Sequence, residues 1–133
     1  MKRILVAYDG GEPAQRALQT GIDLVKKFGG SMAVVSVIPV HIGRSPIDPW
    51  DDRLVHDQQI ADARQIVSEQ GVVAEFLDPA GEPATAIERV AEMGKFDTIV
   101  VGSRGLGSIS RFFQGSVSEH VATHANATVV VAR

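Results

Sequence analysis

Apolar residues come along this chain in short, nearly unbroken runs set apart by longer mixed stretches. "RILVAY" (3–8), "MAVVSVI" (32–38), "VVAEFL" (72–77), "DTIVV" (97–101) and "ATVVVAR" (127–133) are five such runs. Runs of this kind, without polar alternation, predict strands buried on both faces. After the first run, Ala14, Ala17, Leu18, Ile22, Val25 and Phe28 recur at the spacing of one helical face. Pro13 suits the first turn of that helix and Gly29-Gly30 suits its end. A polar, helix-favouring segment runs from about Arg53 to Gln70, and Gly71 closes it. "GEPATAIERVAEMG" (81–94) predicts a third helix with Ile87, Val90 and Ala91 inward, and "GSVSEHVATHA" (115–125) a short fourth. "PVHIGRSPIDPWDD" (39–52), with three prolines, reads as a long loop. The tetrapeptide Gly-Glu-Pro-Ala stands at both 11–14 and 81–84, each time at a helix start. Four residues are shared helix-start grammar, not an internal repeat.

Strands alternating with helices imply parallel pairing through right-handed crossovers. The expected fold is α/β: a doubly wound five-stranded parallel sheet, strand order 3-2-1-4-5, with helices on both faces. The order 2-1-3-4-5 is the common alternative. Ligands bind such sheets beyond the carboxyl ends of the strands, where the winding reverses. In the 3-2-1-4-5 order that point lies between the first and fourth strands. Their exits carry Asp9-Gly10-Gly11 and Gly102-Ser103-Arg104-Gly105, so the two most glycine-rich exits face one crevice.

The second exit continues as "GSRGLGSISRFFQGSVSEHV", with glycines at 102, 105, 107 and 115. Glycine-rich backbone running into a helix start offers amides and a positive dipole end to phosphate. Ser116 and Ser118 add hydroxyl donors, and Arg104 and Arg111 add charge. The Walker A pattern is absent, because no lysine precedes Ser116. "DGGEPA" after the first strand is not a dinucleotide fingerprint, and no Gly-x-Ser-x-Gly elbow occurs.

"GSRGLGSISRFFQGS" resembles the nucleotide-binding pattern of the universal stress protein family: glycine, two residues, glycine, nine residues, glycine, then serine or threonine. Gly102, Gly105, Gly115 and Ser116 fill its fixed positions. "ILVAYDGGEPAQRAL", "GEPATAIERVAE" and "GSVSEHVATHANATVVVAR" are similar to the family's first strand and helix, third helix and ending. The resemblance covers nearly the whole chain outside 39–70. It implies the ATP-binding branch, with ATP carried with magnesium. By position, Gly105, Gly115, Ser116 and Val117 would contact the phosphates. Asp9 and Gly102 would lie by the ribose, and Val37 would hold the adenine edge by its backbone. The resemblance also implies a homodimer through the last strand, whose apolar edge would otherwise stand unpaired. Two departures stand out. Gly11 replaces a common serine, and "NAT" (126–128) replaces the usual cysteine-proline.

Composition narrows the remaining classes. With 133 residues and no linker, residues 1–133 read as a single domain. A net charge of -3 argues against a nucleic-acid partner. No cysteine is present, which excludes a disulfide framework or thiolate metal site. No run is long enough for a signal-peptide core or a membrane span, so a cytoplasmic location is expected. His41, in "HIGR", lacks the second histidine of a nucleotidylyl-transferase motif. His120 and His124 stand one turn apart but lack a metalloprotease glutamate, and they read as surface or interface residues. Phe112, Phe113 and Trp50 pack a loop or face a partner or base, alternatives the sequence leaves open. The resulting reading is an ATP-binding, nucleotide-responsive regulatory module. The alternatives are a slow ATPase or self-phosphorylating protein, using a hydroxyl such as Ser116 or Ser118, and an interaction module that does not use ATP.

Overall fold

The computed structural model describes residues 2–39, 49–102 and 126–133. Its main sheet takes β1 (Arg3–Ala7), β2 (Ser31–Val35), β4 (Ala74–Leu77), β6 (Thr98–Gly102) and β7 (Thr128–Ala132) in the order β4-β2-β1-β6-β7. Every pairing is parallel. Counting these five strands along the chain gives 3-2-1-4-5, the order expected from the sequence.

Residue alternation divides each strand between two cores. Leu5, Ala7, Ala33, Val35, Ile99 and Val101 pack on one face against α3 (Pro83–Met93), through Ala84, Ile87 and Ala91. Ile4, Val6, Tyr8, Met32, Val34 and Val100 pack on the other. There they meet α1 (Glu12–Phe28) through Ala14, Ala17, Leu18 and Ile22, and α2 (Pro49–Glu69) through Ala63 and Val67. Helices therefore cover both faces, as the unbroken apolar runs require.

Three features depart from the sequence reading. α2 begins at Pro49, inside the stretch read as loop and four residues before Arg53. A proline at the first helical position loses no hydrogen bond, so Pro49 opens the helix instead of breaking the chain. Phe28, expected on the buried face of α1, is the last residue of the helix and is 57% exposed. Its ring carries Lys27 Nζ at 5.9 Å. Third, the second predicted strand is interrupted. After Val35 the chain leaves the main sheet and re-pairs as β3 (Ile38–Pro39) with β5 (Ala80–Gly81).

The two Gly-Glu-Pro-Ala tetrapeptides start helices with different caps. Gly11 is the N-cap of α1, at φ -75°, and supplies no side-chain bond. In the second copy Glu82 is the N-cap, and its carboxylate accepts from the Ala84 and Thr85 amides at 3.2 and 2.9 Å. Gly81 there is at φ 144°. The motif is therefore reused one position out of register. Gly21 lies inside α1 for another reason: a Cβ on it would strike Val6 Cγ2, so α1 sits on β1 only because this residue has no side chain.

Two capping details hold the amino edge. Gly29 ends α1 in the left-handed region at φ 75° and donates to the Val25 carbonyl at 2.7 Å. Asp97 accepts from the Lys2 and Arg3 amides at 2.8 and 3.0 Å and from the Thr98 hydroxyl at 2.7 Å. This carboxylate ties the start of β1 to the start of β6. The Thr98 hydroxyl and then the Arg3 and Lys2 amides hold its pKa below the usual carboxylate value, against an opposing effect of desolvation.

Candidate functional site

The sheet order places the reversal of winding between β1 and β6. Beyond β1 the chain runs through Tyr8 and Asp9 to Gly10, whose φ of +84° is a conformation glycine adopts without strain. Asp9 is only 6% exposed, and its Oδ1 accepts from the Gly11 amide at 2.9 Å. The carboxylate thus belongs to an Asx-type turn just ahead of the α1 N-cap, and the turn fixes it at the crevice. Gln59 of α2 lies over this turn. A Cβ on Gly10 would stand 2.9 Å from Gln59 Cγ.

Gly102 ends β6, opposite Ala132 of β7. A Cβ there would stand 2.5 Å from the Pro13 carbonyl carbon and closer still to its oxygen. The first turn of α1 therefore rests directly on this glycine. Gly102 lacks a side chain for packing, whatever else approaches it. Asp9 and Gly102 are thus brought to the two sides of one strand-exit crevice.

Val37 forms the third wall. The Tyr8 amide bonds the Val35 carbonyl at 2.9 Å and so joins the exits of β1 and β2. Past it, the Ser36 amide bonds Leu77 O and the Ile38 amide bonds Pro79 O, at 2.9 and 2.8 Å. Backbone direction alternates along an extended chain. Ser36 and Ile38 therefore point their amides to the β4 side, and Val37 points its own toward the space above β1. Its side chain, 4% exposed, is anchored in the α3-side core. The pairing of β2 with β4, prolonged by β3 and β5, overhangs the end of β1 as a two-stranded wall.

Gly105, Gly115, Ser116 and Val117 lie outside the described residues, as do Arg104, Arg111, Phe112, Phe113, Ser118, His41, His120 and His124. So does the side chain of Trp50. Among the described residues no group of three or more His, Asp or Glu side chains is placed to hold a metal ion. No helix described is long and apolar enough to cross a membrane.

One buried polar group was passed over in the sequence. His56 of α2 is 7% exposed, with Nδ1 3.4 Å from Ser36 Oγ and Nε2 3.9 Å from Asp78 Oδ2. Its Nε2 is buried without a hydrogen bond among the described residues. The signal was its spacing: His56, Ala63 and Val67 share the helical face turned to the sheet.

The model of the universal stress protein family matches residues 1–133. The chain belongs to this family. A universal stress protein of Synechocystis is 32% identical over 147 aligned positions, spanning 97% of this chain and 96% of that protein. The fold is likewise that of solved universal stress proteins. One from Archaeoglobus fulgidus, in complex with dAMP, superposes with a TM-score of 0.77 at 23% identity, covering 100% of this chain and 98% of that one. Another, from Arabidopsis thaliana with AMP bound, gives 0.73 at 24% identity, covering 99% and 91%.

Proposed function

We propose that this universal stress protein binds ATP, with magnesium, in the crevice between the exits of β1 and β6, and acts as a nucleotide-responsive regulatory module of the stress response. The observation that carries this reading is the crevice itself. It lies at the winding reversal, with Asp9 on one side, Gly102 on the other, and the inward backbone of Val37 above the end of β1. The dAMP and AMP named for two solved relatives support the adenosine end of the assignment.

In this reading Val37 meets the adenine edge by its backbone, and Asp9 and Gly102 border the ribose. Gly105, Gly115, Ser116 and Val117 supply phosphate contacts, and Ser116 adds a hydroxyl. The choice of ATP over AMP rests on the glycine spacing of this loop. With no acidic cluster among the described residues, magnesium would arrive on the phosphates and take at most a ligand such as Asp9. The output is binding, with hydrolysis expected far below the ~10 per second of a median enzyme. The working unit is residues 1–133 as one domain, in the cytoplasm, paired as a homodimer through β7.

Equilibrium titration with ATP, ADP and AMP, with and without magnesium, tests the reading. ATP with magnesium should bind tightest, and Gly115→Val should abolish that preference while circular dichroism is unchanged. Equal affinity for ATP and AMP would remove the phosphate assignment. Rapid turnover lost in Asp9→Ala would replace the binding module by an enzyme.

A further inference from the structure

His56 reaches from α2 to the exits of β2 and β4, and the nucleotide reading makes no use of it. Val35 pairs with Leu77, so Ser36 and Asp78 are the residues just beyond the ends of the two strands. By strand alternation both side chains point to the face that α2 covers, where Val34 and Phe76 lie. His56 stands between them, with Nδ1 3.4 Å from Ser36 Oγ and Nε2 3.9 Å from Asp78 Oδ2. It thus bridges the two strands where their pairing passes into the β3–β5 overhang.

The imidazole is incomplete as a neutral group. Its Nε2 is buried and has no hydrogen-bond partner, whereas buried polar atoms ordinarily have one. A neutral ring carries one N–H and one lone pair. With the proton on Nδ1, the Nε2 lone pair faces a carboxylate, which only accepts. With the proton on Nε2, the N–H points across 3.9 Å, too far for a hydrogen bond. A second proton on the ring removes both difficulties. Nδ1–H then donates to the Ser36 hydroxyl, and Nε2–H faces an opposite charge.

The movement required is small. Charge-assisted N–H···O bonds close to about 2.7–2.9 Å, which leaves about 1 Å to cover. His56 is held in the packed face of α2, whereas the Asp78 side chain is 63% exposed and has room to move. Among the described residues, Asp78 is the one carboxylate within 4 Å of the imidazole nitrogens. Asp57, next to His56 on α2, is exposed, and Arg64, about two turns further along, lies over the Phe76 ring. At the β1 exit, the Asp9 carboxylate is turned to the Gly11 amide.

We propose that His56 is a proton-operated positioning residue: as imidazolium it closes on Asp78 and braces the two-stranded wall that presents the Val37 backbone to the crevice. Ser36 and Asp78 immediately precede Val37 and Pro79, and the Pro79 carbonyl holds the Ile38 amide at 2.8 Å. Histidine is the side chain that ordinarily changes charge near neutral pH. Acidification therefore draws Asp78 inward and fixes the wall, and alkalinisation releases it. The latch belongs to the fold and needs no ligand. Its effect on binding rests on the nucleotide reading, in which the adenine edge meets Val37.

Two measurements separate the latch from that reading. In nucleotide-free protein, NMR follows the His56 ring signals, identified by their loss in His56→Gln, together with the Val37 and Ile38 amides between about pH 6 and 8.5. The amides should shift with the same midpoint as the ring. Asp78→Ala should leave the ring titrating and abolish the amide response, whereas Asp57→Ala should leave that response intact. Amides that ignore the ring, or that still follow it in Asp78→Ala, overturn the proposal. So does an equal loss in Asp57→Ala, the behaviour of diffuse charge. The second measurement is the affinity for adenosine, which has no group of its own titrating in this range. Binding should be about fivefold tighter at the acid end, an ordinary coupling between sites, and independent of pH in Asp78→Ala. Equal affinity at both ends in the parent protein overturns the coupling to the crevice. If adenosine fails to bind at any pH while the amides follow the ring, the nucleotide reading falls and the latch stands.

Discussion

Gly102 and Pro13 are in backbone contact: the end of β6 supports the first turn of α1 with no room for a methyl group between them. One residue thus joins the strand-exit crevice to the position of α1. Gly102→Ala should cost about 1–3 kcal/mol of stability, as overpacking does. The measurement is a denaturant melt, and an unchanged midpoint would show that α1 shifts freely. Adenine-nucleotide affinity should be compared at a temperature where the variant is fully folded, so that lost packing is separated from lost contact.

Gly21→Ala sets two effects against each other. Alanine is favoured over glycine inside a helix by roughly 0.5–1 kcal/mol. The added Cβ would, however, meet Val6 Cγ2 in the buried interface with β1, with Met32 Sδ at 3.4 Å. Overpacking of about 1–3 kcal/mol exceeds the propensity gain. The variant should therefore melt lower than the parent, and a higher melting point would show that α1 and β1 can separate at small cost.

These two glycines mark where the sequence was legible and where it was not. The apolar runs gave the five strands because a strand buried on both faces has no polar alternation. The winding order then brought Asp9 and Gly102 together. Gly21 looked like a mere interruption of helical spacing, since its meaning depends on Val6 in another element. The overhang of β3 and β5 was illegible for the same reason. Ile38–Pro39 pairs with Ala80–Gly81, and neither dipeptide carries a strand signal alone. His56 went unnoticed because a histidine on a polar helix gains significance only when Ser36 and Asp78 come near it. The phosphate side of the site was read from glycine spacing, and Gly105 to Val117 lie outside the described residues.

Acid stability should carry the signature of Asp97. Its pKa is lowered in the folded protein, so the stabilisation it contributes is present above the unfolded value of about 3.8 and is lost as pH falls through the folded value. Because the residue is exposed, solvent screening limits its three hydrogen bonds to about 1 kcal/mol. Asp97→Asn should lower stability by that amount at pH 7 and flatten its decline below pH 4. Parallel acid titrations followed by circular dichroism would check this. Equal slopes would mean that other carboxylates govern acid unfolding.

β7 has β6 as its one neighbour among the described strands, and Val131 on it is 41% exposed. An apolar edge of this kind calls for a partner. If β7 pairs with its own copy as proposed, Val131→Lys should yield monomers by light scattering while leaving Val130 packed against its core. A parent protein that is monomeric at high micromolar concentration would remove this interface.

The two-stranded overhang above β1 gives neighbouring amides opposite surroundings. The Ile38 amide is held by the Pro79 carbonyl on the outer side of the wall, whereas that of Val37 faces the crevice. In deuterated solvent the two should exchange at separate rates, the inner one faster. Any occupant gripping the inner edge would slow Val37 and leave Ile38 at its former rate. Two adjacent positions, Val37 as probe and Ile38 as its internal reference, thus make a built-in gauge of occupancy that needs no label and no knowledge of the ligand.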